Sequence, residues 1–94
     1  MNWTKIKEKY PKSYCSWIYD HVVVIGVMRE RDLYNFFDKW EIYISVDYVG
    51  DGNFRGDISY IPMIWTKDHS SRQKAEKAIF KKAFKILEQK LTRK

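Results

Sequence analysis

Glu41-Ile42-Tyr43-Ile44-Ser45-Val46-Asp47-Tyr48-Val49-Gly50-Asp51-Gly52-Asn53-Phe54-Arg55-Gly56-Asp57-Ile58-Ser59-Tyr60 reads as strand, turn and strand. Ile42, Ile44, Val46 and Tyr48 alternate with Tyr43, Ser45, Asp47 and Val49, the period of two that a half-buried strand requires. Gly50 to Asn53 is a turn by composition, its glycines supplying positive φ. Phe54, Gly56, Ile58 and Tyr60 alternate again. Pro62 cannot donate to a ladder, so it breaks the second arm or confines it to an edge. Met63 to Thr66 would then resume that arm. The expectation is an antiparallel hairpin with an irregular second arm. Two strands alone are marginal, so helices or a partner chain must cover them.

The segment after the hairpin has the opposite period. Ser70-Ser71-Arg72-Gln73 fits a capping box, with Ser70 accepting from an orphan amide and Gln73 reaching back. At about 100° per residue, Ala75, Ile79, Phe80, Ala83, Phe84, Ile86, Leu87 and Leu91 share one half of a helix. Lys74, Lys77, Lys81, Lys82, Lys85, Glu88 and Gln89 fill the other half.

Ahead of the hairpin, Asn2 can cap a helix over Trp3 to Lys9, with Trp3, Ile6 and Tyr10 on one face. Pro11 can open a second helix, whose stripe is Tyr14, Trp17, Ile18 and His21. Val22 to Val27 reads either as the end of that helix or as a buried strand. Its run of β-branched residues favours extended structure. Arg31 to Lys39 reads as a short helix with Leu33, Phe36, Phe37 and Trp40 on one face and Asp32 in its first turn. The fold class expected is α+β, one domain over 1–94. A small antiparallel hairpin or sheet is packed by a long C-terminal helix and by short N-terminal helices.

A composition of 45% hydrophobic and 17% aromatic residues is that of a globular chain, and large rings fill a small core economically. Cys15 is the single cysteine, so no internal disulfide can form and a reducing, cytoplasmic setting is expected. No signal peptide is expected, since no basic-then-apolar segment opens the sequence. The apolar run Val22 to Met28 is far short of the ~20 residues that cross a bilayer, so no membrane partner is expected.

Catalytic and metal patterns are equally thin. His21 and His69 stand far apart with no neighbouring Cys or Glu at ligand spacing. Cys15, between aromatic-rich stretches, reads as a small buried hydrophobe. Asp51, Asn53 and Gly56 match three positions of a calcium loop. Arg55 and Pro62, however, occupy positions that need oxygen ligands, which leaves a hairpin turn. Arg55-Gly56-Asp57 spells an adhesion tripeptide, read as chance in a reducing compartment. Neither a phosphate loop nor a nucleophile elbow is present. The expectation is no catalytic residue, no metal and no cofactor.

Charge is the one asymmetric property. Ser70 to Lys94 holds nine basic and two acidic residues, a net +7 against +6 for the whole chain, so the first sixty-nine residues sum to −1. Lys77, Lys81 and Lys85 repeat every four residues and stack as like charges, each pair costing a few tenths of a kcal/mol. Arg72 and Lys74 stand where the helix dipole favours anions. Such a face is solvated, matched by the acids Glu41, Asp47, Asp51, Asp57 and Asp68, or answered by an acidic partner. The candidate binding residues are Arg72, Lys74, Lys77, Lys81 and Lys85, directed at an acidic protein surface or at phosphate.

Ser71-Arg72-Gln73-Lys74-Ala75-Glu76-Lys77-Ala78 resembles the last helix of a double-stranded RNA-binding domain. Arg72, Lys74 and Lys77 match its phosphate-contacting positions. That family's Gly- and Pro-rich loop with its groove-reading His has no counterpart here. Asp51 stands in the turn instead, which disfavours phosphate.

The whole chain is similar to a group of small uncharacterised proteins of phages, prophages and mobile elements of gut bacteria. The likeness lies in Trp3 to Lys12, in Arg31 to Asp38 with Ile42-Tyr43-Ile44, and in Ser71 to Glu76 with Ala78 to Phe84. The group commonly carries Glu where the last helix here carries Lys. It implies no activity and no catalytic residues, and a setting in which small binders of host proteins are frequent. The function expected is a non-catalytic protein-interaction module of a phage or mobile element, binding a host or phage protein. The alternative is a nucleic-acid binder using the basic C-terminal helix. A homodimer through a sheet edge or an exposed aromatic is compatible with both.

Overall fold

The computed structural model describes residues 1–59 and 63–93. α1 (Trp3–Lys9) starts behind Asn2, whose side-chain oxygen accepts from the Lys5 amide at 3.2 Å. α2 (Pro11–Trp17) follows with Pro11 in its first turn. The chain then widens into a π-helical turn over Ile18–Val22 and returns to α geometry in α3 (Val23–Ile25). Gly26, at φ +88, ends this helical run with the left-handed residue that glycine adopts freely. The expectation of extended structure over Val22 to Val27 is therefore corrected. Successive helical hydrogen bonds carry the β-branched residues past the body of the protein, and Val23, Val24, Ile25, Val27 and Met28 are exposed.

A 3-10 turn over Glu30–Asp32 leads into α4 (Leu33–Asp38), which buries Leu33, Phe36 and Phe37 as expected. Glu41 is left-handed at φ +60, so the first strand begins later than the alternation suggested. β1 (Tyr43–Gly50) and β2 (Asn53–Ser59) pair antiparallel in the register Ile44↔Ile58 and Val46↔Gly56. Asp51 and Gly52 both have positive φ, the geometry of a tight hairpin turn.

Beyond the turn the expectation of one irregular second arm is corrected. β3 (Ile64–Trp65) folds back and pairs antiparallel with β2 at Asp57↔Trp65 and Ile58↔Ile64. Thr66 exchanges bonds with Gly56 through its backbone amide (2.9 Å) and its hydroxyl (3.0 Å). His69 pairs with Phe54 through both backbone bonds. β2 is thus the central strand of a three-stranded sheet in the order β1-β2-β3. The expected reach of the second arm to Tyr60 and its break at Pro62 lie outside the described residues.

α5 (Arg72–Thr92) packs across one face of this sheet. The crossing point is Gly56, where an added Cβ would stand 2.6 Å from Ile79 Cβ and 3.1 Å from the Ala75 carbonyl oxygen. The cap is Ser71, not Ser70. Its hydroxyl accepts from the Lys74 amide, which makes Lys74 rather than Gln73 the third helical residue and leaves no capping box. The apolar half reads as expected: Ala75, Ile79, Phe80, Ala83, Phe84, Ile86 and Leu87 are buried.

Rings join the N-terminal helices to α5. Trp3 stacks on Trp17 at 6.0 Å and meets Phe84 edge-on at 6.1 Å. Phe37 meets Phe84 at 5.0 Å and Trp17 meets Phe36 at 5.3 Å. The fold is α+β: short N-terminal helices and a long C-terminal helix around a small antiparallel sheet.

Candidate functional site

The outer face of α5 is built by what its two acids do. Glu76 accepts the Tyr34 hydroxyl at 2.7 Å. Burial of the ring, and then that bond, push the Tyr34 phenol well above its usual range. Glu88 accepts from the Ser13 amide at 2.8 Å and from the Lys12 amide at 3.3 Å, two orphan donors in the first turn of α2. The Ser13 hydroxyl returns a bond to the Phe84 carbonyl at 3.0 Å. Glu88 keeps its expected place on the lysine half of the helix, three residues after Lys85, and from there it closes the start of α2. Both carboxylates of α5 are engaged by neighbouring elements, and Lys74, Lys77, Lys81, Lys82 and Lys85 remain exposed.

α1 extends this face. Lys5, Lys9 and Lys81 line one cleft between α1 and α5, together with Asn2, Ile6 and Tyr10. The sequence reading had left Lys5 and Lys9 out of the candidate set. Their spacing of four signals a shared helix face, but the docking of α1 beside Lys81 depends on the aromatic contacts of Trp3.

Arg72 goes elsewhere. Its guanidinium lies 5.1 Å from the Phe54 ring centroid, at the sheet end of α5. Lys74 Nζ lies 3.4 Å from the Ser70 hydroxyl. The expected set therefore divides: Lys77, Lys81 and Lys85 share the outer stripe with Lys74 at its start, and Arg72, the first residue of α5, contacts β2 through Phe54.

The hairpin acids do not answer these lysines. Among the described residues the ion pairs are Met1–Glu30, Arg29–Asp32 and Arg55–Asp68. Gly56 faces α5, so strand alternation turns its neighbour Asp57 to the opposite side of the sheet. Asp47 lies on that same face, two residues along β1 from the partner of Asp57. Burial, and then this carboxyl neighbour, push the Asp57 carboxyl above the usual range. Trp65, the cross-strand partner of Asp57, and Tyr43 are exposed on that open face. Asp47 and Asp57 therefore lie across the sheet from α5 and its lysines.

Groups with catalytic or metal-binding potential are dispersed. Cys15 is exposed on α2, which corrects the expectation of a buried thiol. His21 is buried, stacked on Trp17 at 5.0 Å, and neither ring nitrogen has a hydrogen-bond partner; Trp17 Nε1 lacks one too. Burial holds the His21 imidazole below its usual range, Lys39 adds to this and Asp32 opposes it. His69 is held through its backbone against Phe54. Among the described residues no three His, Cys, Asp or Glu side chains group as a metal-ligand set, and no helix is long and apolar enough to cross a membrane.

Compared with protein-family models, curated proteins and solved structures, the chain matches none.

Proposed function

We propose that this chain is a non-catalytic binding module that takes an acidic segment of another protein on the lysine face of α5 and α1. The observation that carries this reading is the engagement of Glu76 by Tyr34 and of Glu88 by the first turn of α2. Among the described residues no ion pair joins either carboxylate to an outer lysine of α5. A face that served only solvation would gain about 0.2–0.5 kcal/mol from each outward Glu–Lys pair. The setting in a phage or mobile element rests on the resemblance of three stretches. An exposed, lone thiol fits a reducing cytoplasm.

A protein partner is favoured over nucleic acid by where the rings lie. The exposed rings of Tyr43 and Trp65 sit on the open side of the sheet, away from the lysines, where they could not stack bases that the lysines grip. Arg72, the one arginine of the expected set, is engaged with Phe54.

The test is fluorescence anisotropy with three labelled probes: a glutamate-rich peptide, duplex RNA and single-stranded RNA, each at ~50 and ~200 mM salt. The peptide is expected to bind, and Lys77→Glu with Lys85→Glu to weaken it by about tenfold or more. Tighter binding of either RNA with a steep salt slope would transfer the reading to the nucleic-acid alternative. No binding to any probe at the lower salt would end both.

A further inference from the structure

We infer that the cleft lined by Lys5, Lys9 and Lys81 is a site for a phosphoryl monoester, the group carried by a phosphorylated side chain of a protein partner. The inference rests on the acidic-partner reading and names the group that anchors that partner.

The lining chemistry selects the ligand. Three lysines line one cleft, and their ammonium groups each donate up to three hydrogen bonds and never accept. Asn2 adds to this bias. Its side-chain oxygen already accepts from the Lys5 amide, so its NH2 is the half left over, and that half donates. No Asp or Glu lines the cleft. A carboxylate or a phosphodiester brings one negative charge to this array, whereas a phosphoryl monoester brings about −1.5 to −2 at pH 7 and three acceptor oxygens.

Size and shape agree. The cleft holds about 170 Å³, room for one small anion such as a phosphoryl group. Ile6 and Tyr10 supply an apolar wall for the carbon that bears the phosphate. The remaining stripe, Lys77 and Lys85, then follows the flanking acidic residues of the same segment.

The experiment is an amide and lysine side-chain NMR titration with inorganic phosphate, run against acetate at equal ionic strength. Anisotropy with a phosphoserine peptide and its glutamate counterpart accompanies it. Phosphate should produce saturable shifts at Lys5, Lys9, Tyr10 and Lys81 that acetate does not. The phosphopeptide should bind about tenfold tighter than the glutamate peptide. This advantage should shrink between pH 7.5 and 5.5, as the ligand's second proton, with a pKa of about 6, returns. Lys81→Gln should remove the advantage, and Lys5→Gln should reproduce the loss. Both positions are exposed, and circular dichroism checks that each variant is folded. Identical shifts with phosphate and acetate, or a phosphate response untouched by Lys81→Gln, would overturn the inference. If the glutamate peptide still binds and still responds to charge reversal at Lys77 and Lys85, the acidic-partner reading survives that failure. If phosphate shifts persist while no peptide binds, the cleft stands and the acidic-partner reading falls.

Discussion

α5 and the helical run from Pro11 to Ile25 are both rich in apolar residues, yet they treat them in opposite ways. α5 buries Ala75, Ile79, Phe80, Ala83, Phe84, Ile86 and Leu87 and exposes its lysines. The earlier run buries Trp17 and His21, then leaves Val23, Val24 and Ile25 in solvent. The difference lies in the pattern. In α5 the apolar residues recur every three or four positions, so packing one face satisfies them all. In Val22 to Met28 they are contiguous, so a helix must point some of them away from the core.

Gly56→Val should break the comparison most severely, by removing the contact that seats α5 on the sheet. Its branched side chain meets Ile79 and the Ala75 carbonyl at distances no small shift relieves. A loss of about 3 kcal/mol or more, or no folding at all, is expected in urea denaturation. Glu88→Ala detaches the two helices from each other at the Lys12 and Ser13 amides. A loss of about 1–2 kcal/mol is expected by the same measurement.

His21 sharpens the comparison from the other helix. Its folded-state pKa lies below the unfolded value of about 6.5. As pH falls through that range the unfolded chain binds the proton that the folded chain resists, so stability drops from pH 7 towards pH 5. His21→Phe should flatten this part of the pH dependence, read as urea midpoints at the two pH values against the parent. Val24→Ser should do least. Val24 is 76% exposed, and a change within about 0.5 kcal/mol is expected. A large loss there would mean that the apolar tip is packed in solution.

The parts legible in the sequence were those set by local rules. The cap at Asn2, the opening proline of α2, the alternation through Ile44 and Val46 and the buried face of α5 follow from spacing and from which residue types close a helix. What was not legible depended on tertiary partners. Met63 to Thr66 was legible as extended, but its return along β2 was not, because the Thr66 hydroxyl and the His69 backbone fix it through tertiary bonds. Ser71 rather than Ser70 caps α5, a choice between two equivalent residues. For the candidate face, Lys77, Lys81 and Lys85 were legible as a stripe. Lys5 and Lys9 were not, because only the contacts of Trp3 with Trp17 and Phe84 bring α1 to it.

The reach of Glu88 back to Ser13 has a consequence for synthesis. The first turn of α2 has its carboxylate cap 75 residues downstream. The rings of Trp3 and Phe37 likewise wait for Phe84. On a ribosome adding about 5–20 residues per second, the N-terminal helices emerge with their aromatic faces uncovered. They stay so for several seconds, until α5 clears the exit tunnel. Folding of the N-terminal helices therefore waits for α5, and in that interval their rings are open to chaperones.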